Sequence, residues 1–405
     1  MACGRSRWVY VVTRSALYVT IILAVAALVV IVAPGCGPAG RTTSTALSSA
    51  TLTSPNTTVP ASSGTDTTNS SNQNLDATLF PIVVHGKWGY IDRKGSVVVA
   101  PRFDAAAAFC EGLGCIRVGD EETGKYGFVD ASGALVIEPK FAWAGDFSEG
   151  LSQARLTQGG KTGYIDKSGA WVIKPRFQNA GQFSEGLAPA QVEGNDLFGC
   201  IDKTGTFVIQ PTSRNPIYFS EALAAAEGPM TPGVRPKEGY LDKTGSWAIE
   251  PRFYGAQRFS GGLAFEGLSQ GTGEEFAYID TSGNIVFTLD RPQEEPNDAY
   301  PFFSEGLAVW YGEDGREGFI NSKGSFVIRP EFARVTPFSE GLAAVSMDTQ
   351  GNWGYTDKSG AWAIDPQFAF AYPFSDGLAR VVFATPGSHP SGYIDPSGKV
   401  IWRAP

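Results

Sequence analysis

The chain has 405 residues, a net charge of −9, 42% hydrophobic and 12% aromatic residues, 49 Gly and 26 Pro. The apolar content is sufficient for a packed core, and the many Gly and Pro residues favour a turn-rich β protein. The negative charge argues against binding to nucleic acid or to an anionic membrane surface. Five cysteines in this length are too few for a disulfide framework.

Residues 1–36 have the features of an export signal. Residues 1–15 contain three arginines and no acidic residue. An uncharged apolar segment follows over residues 16–33, and Pro-Gly-Cys comes directly after it. This order resembles a bacterial lipoprotein signal, in which Cys36 would be lipidated and become the new N-terminus. An uncleaved single-span membrane anchor and simple secretion are the alternatives. All three predict that the rest of the chain lies outside the cytoplasm, and the first two attach it to the membrane.

Residues 37–75 form a low-complexity segment, in which 18 of 39 residues are Ser or Thr. A segment with so little apolar surface cannot form a packed core. We therefore predict a disordered linker that holds the folded part, residues 76–405, away from the membrane.

The folded part repeats one pattern, which is clearest in the stretch GYIDKSGAWVIKPRFQNAGQFSEGL from Gly163 to Leu187. Aromatic and β-branched residues on both sides of Asp-Lys-Ser-Gly predict a β-hairpin with a tight turn. Pro175 ends the second strand, because proline has no N–H to donate to a strand ladder. A connecting arm then leads through Phe-Ser-Glu-Gly-Leu into a third strand.

Nine hairpins of this kind occur at intervals of 36–41 residues. Their cores are WGYIDRKG, YGFVDASG, TGYIDKSG, FGCIDKTG, EGYLDKTG, FAYIDTSG, EGFINSKG, WGYTDKSG and SGYIDPSG. One unit is too small to bury its own apolar face, so we predict an all-β tandem array in which units stack on their neighbours. An open, curved stack is favoured, because nothing in the sequence indicates that the ends exchange a strand. A closed, propeller-like toroid is the alternative.

An acid or amide occupies the first position of every hairpin turn. These residues are Asp92, Asp130, Asp166, Asp202, Asp242, Asp280, Asn321, Asp357 and Asp395. A calcium site needs several converging oxygens, whereas each turn offers one. We therefore assign them a structural role in the turn and predict no metal site.

A large apolar residue follows each turn glycine by two positions. Five of them are aromatic: Trp171, Phe207, Trp247, Phe326 and Trp362. We expect these side chains to form the core between repeats, in which case Trp362→Ala would cost ~3–5 kcal/mol. A row of exposed aromatic residues for stacking on sugars is the alternative.

Catalytic constellations are absent from the sequence. The glutamates of Phe-Ser-Glu-Gly-Leu recur in unit after unit, whereas an active site is a single constellation. The chain has two histidines, His85 and His389, and no Gly-x-Ser-x-Gly motif. We predict that the protein is not an enzyme and needs no cofactor. In an oxidising compartment, Cys110 and Cys115 could form a disulfide; two buried thiols are the alternative.

The Trp-Gly pair, the Asp-x-x-Gly turn, Pro-x-Phe and Phe-Ser-Glu-Gly-Leu together resemble the bacterial WG repeat, over roughly residues 80–402. The Trp-Gly pair itself is kept only at Trp88-Gly89 and Trp353-Gly354. The resemblance implies a β-rich repeat scaffold, and it implies no catalytic residue.

These features favour a non-enzymatic scaffold, tethered at the cell envelope, that binds a protein partner. A module that binds carbohydrate or peptidoglycan through aromatic residues is the alternative, and an enzyme is the least favoured. The insertions Gly228–Lys237 and Arg291–Asp298 are candidate partner-specific loops.

Overall fold

The computed structural model describes residues 78–229, 235–268, 275–289, 302–348, 351–385 and 390–405. All of them belong to one compact unit. The predicted signal with Cys36, the linker over 37–75 and the domain start at 76 lie outside the described residues, as do residues 230–234 of the first insertion and the whole of the second. Among the described residues, no helix is long and apolar enough to span a bilayer.

The described residues form 32 strands that pair in antiparallel sheets, which confirms the predicted all-β array. We number the repeat units 1 to 9 after their hairpins. Units 1–3 contain β1 (Phe80–Val84), β2 (Lys87–Ile91), β3 (Val97–Phe103), β4 (Ala105–Cys110), β5 (Leu113–Val118), β6 (Lys125–Asp130), β7 (Leu135–Phe141), β8 (Trp143–Ala144), β9 (Ser152–Arg155), β10 (Thr162–Ile165) and β11 (Trp171–Ala180).

Units 4–6 contain β12 (Ala188–Val192), β13 (Phe198–Ile201), β14 (Phe207–Ser213), β15 (Ala224–Glu227), β16 (Glu238–Leu241), β17 (Trp247–Phe253), β18 (Gly255–Ala256), β19 (Leu263–Gly267), β20 (Phe276–Asp280) and β21 (Ile285–Leu289). Units 7–9 contain β22 (Phe303–Ser304), β23 (Leu307–Tyr311), β24 (Glu317–Asn321), β25 (Phe326–Phe332), β26 (Arg334–Val335), β27 (Leu342–Asp348), β28 (Gly351–Asp357), β29 (Trp362–Ser375), β30 (Leu378–Phe383), β31 (Ser391–Ile394) and β32 (Val400–Arg403).

Each hairpin contains a shift in its pairing register, and in unit 3 the close approach of the two strands explains the glycine. In unit 3, the pairing register shifts on both sides of the Tyr164–Ile173 pair. A Cβ atom on Gly163 would lie 2.5 Å from the Ile173 carbonyl oxygen and 2.6 Å from the Pro175 nitrogen. The bulged strands therefore approach each other too closely for any side chain at this position.

The hydrophobic core lies between successive units. One core cluster joins Tyr164, Ile173 and Phe177 of unit 3 to Phe183 and Ile201 of unit 4. The same arrangement recurs along the array, as the predicted stacking of incomplete units requires.

The two ends of the array contact each other, so the preference for an open stack is wrong and the closed alternative holds. Phe80 and Ile82 of unit 1 share a buried cluster with Leu378 and Tyr393 of unit 9. The Tyr393 hydroxyl donates a hydrogen bond to the Pro81 carbonyl at 2.9 Å. As the sequence indicated, no strand is exchanged: β1 pairs with β2, and side-chain packing closes the array.

The joint between units 9 and 1, which closes the array, shares part of the contacts of the internal joints. The Tyr90 hydroxyl lies 3.4 Å from the Cys115 carbonyl of unit 2, and Pro81 is the equivalent of Cys115 in its strand. The turn glycine of unit 1, Gly95, packs on Ile401 of unit 9, whereas Gly169 of unit 3 packs on Ile137 of unit 2, which lies one position later in its strand. Unit 1 therefore follows unit 9 in the place of a next unit, but without the connecting arm that an internal unit has.

Candidate interaction surface

The turn residues act within their own turns. In unit 3, Asp166 Oδ1 accepts the backbone N–H groups of Ser168 at 2.9 Å and Ala170 at 3.1 Å. All nine turns share this geometry, including that of Asn321. The described ranges contain no group of three or more His, Cys, Asp or Glu that could hold a metal ion.

We expect these turns to make the array sensitive to acid. The Ser168 hydroxyl and the two backbone donors hold the pKa of Asp166 below its usual range. A lowered pKa in the folded state stabilises the protein above the unfolded-state pKa of about 4, and this contribution is lost as the pH falls through the folded value. Asp166→Asn keeps an acceptor oxygen, as Asn321 does, so in urea titrations from pH 7 to pH 2 it should lose less stability on acidification than wild type. Equal losses in the two proteins would contradict this.

The Phe-Ser-Glu-Gly-Leu elements connect neighbouring units. The Glu and Gly residues both have positive φ, 53° at Glu149 and 85° at Gly150, which forms a tight two-residue turn. The Glu149 carboxylate accepts the Gly186 N–H of the next unit at 3.0 Å and lies 3.3 Å from Lys203 Nζ. The equivalent ion pairs are Glu111–Lys167, Glu185–Lys243 and Glu305–Lys358, with Asp376–Arg93 at the closing joint.

The serines of these elements form a second set of links. The Ser184 hydroxyl donates to the Phe219 carbonyl of the next unit at 2.8 Å. The same bond joins Ser148 to Phe183, Ser220 to Phe259, Ser304 to Phe338 and Ser339 to Phe374. Each repeated Glu and Ser therefore has a structural partner in the neighbouring unit.

The charge pattern of the elements changes around unit 6. Gly261 stands where other units have Glu, and Ser322 of unit 7 stands where its Lys partner would be. Between units 5 and 6, Glu221 still accepts the Gly262 N–H at 2.9 Å, but Thr281 occupies the lysine position. The joints on both sides of unit 6 thus lack this ion pair. The pair is also missing between units 1 and 2, where Ala131 holds the lysine position, and between units 8 and 9, where Pro396 holds it.

The predicted aromatic core between repeats needs correction. Phe326 and Trp362 are 44% and 39% exposed, and Trp171, Phe207 and Trp247 are half-buried. The hairpin bulge is the reason. It adds one residue to the second strand, so that residues two positions apart point to opposite faces. Ile328 and Ile364 therefore enter the core in place of Phe326 and Trp362.

These aromatic rings pack against an aromatic ring of the neighbouring unit. Trp362 packs edge-on against Phe332 of unit 7, with ring centroids 5.9 Å apart. Trp171 and Phe207 make the same contact with Phe141 and Phe177. Part of each side chain remains exposed to solvent.

Trp362→Ala should therefore cost about 2 kcal/mol of unfolding free energy, less than the loss of a fully buried tryptophan. The exposed part of the Trp362 ring is in contact with water in the folded protein as well, so removing it changes the unfolding free energy little. Urea denaturation followed by circular dichroism measures the difference. Phe368→Ala, which removes a buried ring from the same unit, serves as the comparison and should cost more.

A second apolar residue is exposed beside the first in most units. Together they form what we name the apolar edge row: Val97, Val98, Leu135, Val136, Val172, Val208, Ile285, Val286, Phe326, Val327, Trp362 and Val400. In units 1, 2, 4–7 and 9, these strands are the last of their sheets, with no further strand beside them in the described residues. Seven of the nine second strands contain a proline, which limits backbone pairing with another chain because proline has no N–H to donate. The prediction that Pro175 ends its strand is wrong, since β11 continues through it to Ala180. The side chains are therefore the main feature offered to a partner.

Cys110 and Cys115 are buried and no disulfide joins them, so the predicted bridge is not present. Cys115 points its thiol at the Ala144 carbonyl of unit 3, 3.7 Å away. Burial raises the pKa of this thiol well above its usual range. Both cysteines are packing residues in this structure.

The sequence interpretation missed two buried carboxyl groups, Glu266 and Glu317. Glu317 accepts the Val335 N–H at 2.6 Å and lies 3.5 Å from Arg334. Glu266 contacts the Tyr240 hydroxyl through Oε1, and its Oε2 has no hydrogen-bond partner in the described part of the chain. A comparison of the units could have found Glu266, because the equivalent positions hold apolar residues such as Ala154 and Ala190.

The fold and these joints define a β-repeat protein built from nine hairpin units. The model of the WG containing repeat matches residues 88–121, 126–161, 163–195, 239–265, 318–348 and 353–383, so the chain is a WG repeat protein. The hairpins of units 4, 6 and 9 fall outside these matches, yet they have the same turn geometry.

Solved structures with related folds have low sequence identity to the chain. BamB from Moraxella catarrhalis is 13% identical, with 82% of this chain and 97% of that chain covered and a TM-score of 0.37. TolB from Acinetobacter baumannii is 12% identical, with 64% and 77% covered and a TM-score of 0.28. No curated protein matches the chain.

Proposed function

We propose that this protein is a non-enzymatic scaffold that binds a protein partner through the apolar edge row, tethered outside the cytoplasm by its N-terminus. One observation carries the proposal: apolar side chains are exposed at regular intervals along the array. Val172 is 48% exposed and Val208 is 40% exposed, although other residues of the same strands are buried in the core. Extended apolar surface of this kind marks interaction sites on soluble proteins.

The repeated acids support a binding role over a catalytic one. Glu149 and its equivalents are engaged with the next unit, and the turn aspartates are engaged with their own backbone. The apolar edge row takes no part in these bonds and remains available to a partner.

Site-specific photo-crosslinking in cells tests the proposal. A crosslinking residue at position 172 or 208 should capture the same protein partner, because adjacent units present equivalent residues. The control is position 193, where the glutamate side chain is 69% exposed but lies outside the row. Capture that is equal at 172, 208 and 193, or absent at 172 and 208, would contradict the proposal.

Glycan binding is the second candidate, and the exposed rings of Phe326 and Trp362 favour it. Retention on purified peptidoglycan that Trp362→Ala abolishes, while Val172→Thr leaves it intact, would support this candidate. Loss of protein capture in Val172→Thr with no retention on peptidoglycan would support the protein scaffold.

The tether is tested by the mass and membrane partitioning of the native protein and of Cys36→Ser. We expect the native chain to begin at Cys36 with added acyl mass and the variant to lose it. A full-length chain that stays in the membrane would instead indicate an anchor over residues 16–33, and a soluble chain cut elsewhere would indicate secretion.

A further inference from the structure

Glu266 occupies a position in β19 at which the other units have no charge. The equivalent residues are Ile82, Ile116, Ala154, Ala190, Ala226, Trp310, Val345 and Val381. All of these side chains are buried, and Glu266 is fully buried as well. A carboxyl group in such a site is costly unless it is neutral or paired. This departure from the repeat therefore needs a physical reason.

The contacts of Glu266 require an extra proton. The Tyr240 hydroxyl lies within hydrogen-bonding distance of both the Gln257 carbonyl and Glu266 Oε1. The tyrosine has one proton, which it can donate to only one of these acceptors. A second hydrogen bond forms if Glu266 is protonated and donates to the phenol oxygen while the phenol donates to Gln257.

The surroundings of Glu266 favour its neutral form. Burial raises the pKa of Glu266 to about 9, and the carboxylate of Glu238 adds to this effect, while the Tyr240 hydrogen bond, Arg252 and the backbone N–H of Gln257 oppose it. Glu238 itself accepts the Ala256 N–H at 2.8 Å. On the neighbouring strand β20, the residue paired with Glu266 is the apolar Ala277.

The Tyr240–Glu266 contact crosses the joint between units 5 and 6. Tyr240 belongs to β16 of unit 5, whereas Gln257 and Glu266 belong to unit 6. This joint also has Thr281 at the position that holds the lysine of an ion pair in units 3, 4, 5 and 8. The buried contact therefore links two units that this ion pair does not connect.

We propose that the joint between units 5 and 6 is a pH-sensitive latch, which the Tyr240–Glu266 contact closes only while Glu266 carries a proton. In the closed state, Glu266 is protonated. When the joint opens and water reaches Glu266, its pKa returns to the usual glutamate value, and the side chain releases the proton at any pH above that value. Opening therefore becomes more favourable as the pH rises, by up to about tenfold for each pH unit between the two pKa values. No other joint places a carboxyl group at this position.

Hydrogen exchange measured by mass spectrometry between pH 6 and pH 10 tests the latch on the whole chain. Protection factors in β16 and β19 should fall by at least about tenfold over this range. The joint between units 3 and 4 is the internal control, because Tyr164 donates to the Gly181 carbonyl at 2.7 Å there and Ala190 replaces the carboxyl group. Its protection factors should stay constant.

Two variants distinguish the latch from general alkaline loosening. Glu266→Ala restores the residue of units 3, 4 and 5, and Glu266→Gln keeps the shape of the side chain without its titration. Both should make the joint between units 5 and 6 as insensitive to pH as the control joint. Equal pH profiles at the two joints in wild type, or a fall in protection that survives both variants, would overturn the proposal. A carboxyl carbon NMR signal of Glu266 that titrates at the usual glutamate pKa would also overturn it.

Discussion

Replacing Gly163 by alanine should lower the unfolding free energy by about 3 kcal/mol, which is at the upper end of what overpacking costs. The added Cβ would meet the Ile173 carbonyl oxygen at 2.5 Å and the Pro175 nitrogen at 2.6 Å. Both are backbone atoms of a paired strand, so neither can move away as a flexible side chain would. The hairpin of unit 3 has to separate at its bulge to accommodate the methyl group. Urea denaturation monitored by circular dichroism measures the effect.

Unit 6 supplies the control for this prediction. Its hairpin has Ala277 in place of the glycine, and its second strand has no proline. β20 and β21 pair in regular register from Phe276 to Tyr278, without the first of the two register shifts seen in the seven units whose second strand contains a proline. Ala277→Gly should cost no more than about 1 kcal/mol, the usual difference between these residues within a strand. A Gly163→Ala protein that unfolds like wild type would contradict the close-approach explanation.

This explanation also accounts for the sequence variation of the Trp-Gly pair. The glycine is present in eight of the nine hairpins, whereas the tryptophan position holds Trp, Tyr, Thr, Phe, Glu or Ser. At that position in units 5 and 7, Glu238 and Glu317 accept the N–H groups of Ala256 and Val335. Several side chains satisfy this site, but only glycine fits between the bulged strands.

Local patterns in the sequence were sufficient to predict the hairpins. The Asp-x-x-Gly turns, with strands on both sides, depend on hydrogen bonds between residues at most four apart, as at Asp166. The recurrence of the pattern then indicated that units stack. The hairpin prediction uses the residues of a single unit, and the stacking prediction uses the recurrence of that unit along the chain.

The burial of individual side chains was harder to predict. Strict alternation along β29 favours Trp362 for the core, but the bulge between β28 and β29 places Ile364 there instead. A bulge inserts one residue into the alternation, and its position depends on the partner strand. The partly exposed tryptophans follow from this shift.

Closure of the array could not be predicted from the units, because it depends on contacts between residues 312 positions apart. The first strand, β1, lacks the connecting arm that precedes the equivalent strands β5 and β12. In the sequence, this looks like an atypical end unit. In the structure, its residues Phe80 and Ile82 complete the core of unit 9.

Ile82→Ala should cost about 2–4 kcal/mol, as for other large-to-small changes in a packed core. Ile82 is 1% exposed because unit 9 covers it. In an open array, the same side chain would face solvent, and its truncation would change stability by no more than about 0.5 kcal/mol. Val98→Ala is the matched control, since Val98 lies in the same unit and is 37% exposed. Chemical denaturation of both variants gives the comparison.

A distance measurement examines closure without relying on stability. Spin labels at positions 93 and 376 should give the same short distance as labels at 167 and 111, because Arg93–Asp376 and Lys167–Glu111 are equivalent ion pairs at 3.5 and 3.2 Å. Cys110, Cys115 and Cys200 are buried, which limits their reaction with the label. An array that opens in solution would lengthen the 93–376 distance and leave the 111–167 distance unchanged. Equal distances would establish that units 9 and 1 stay joined in solution, as the side-chain contacts between them require.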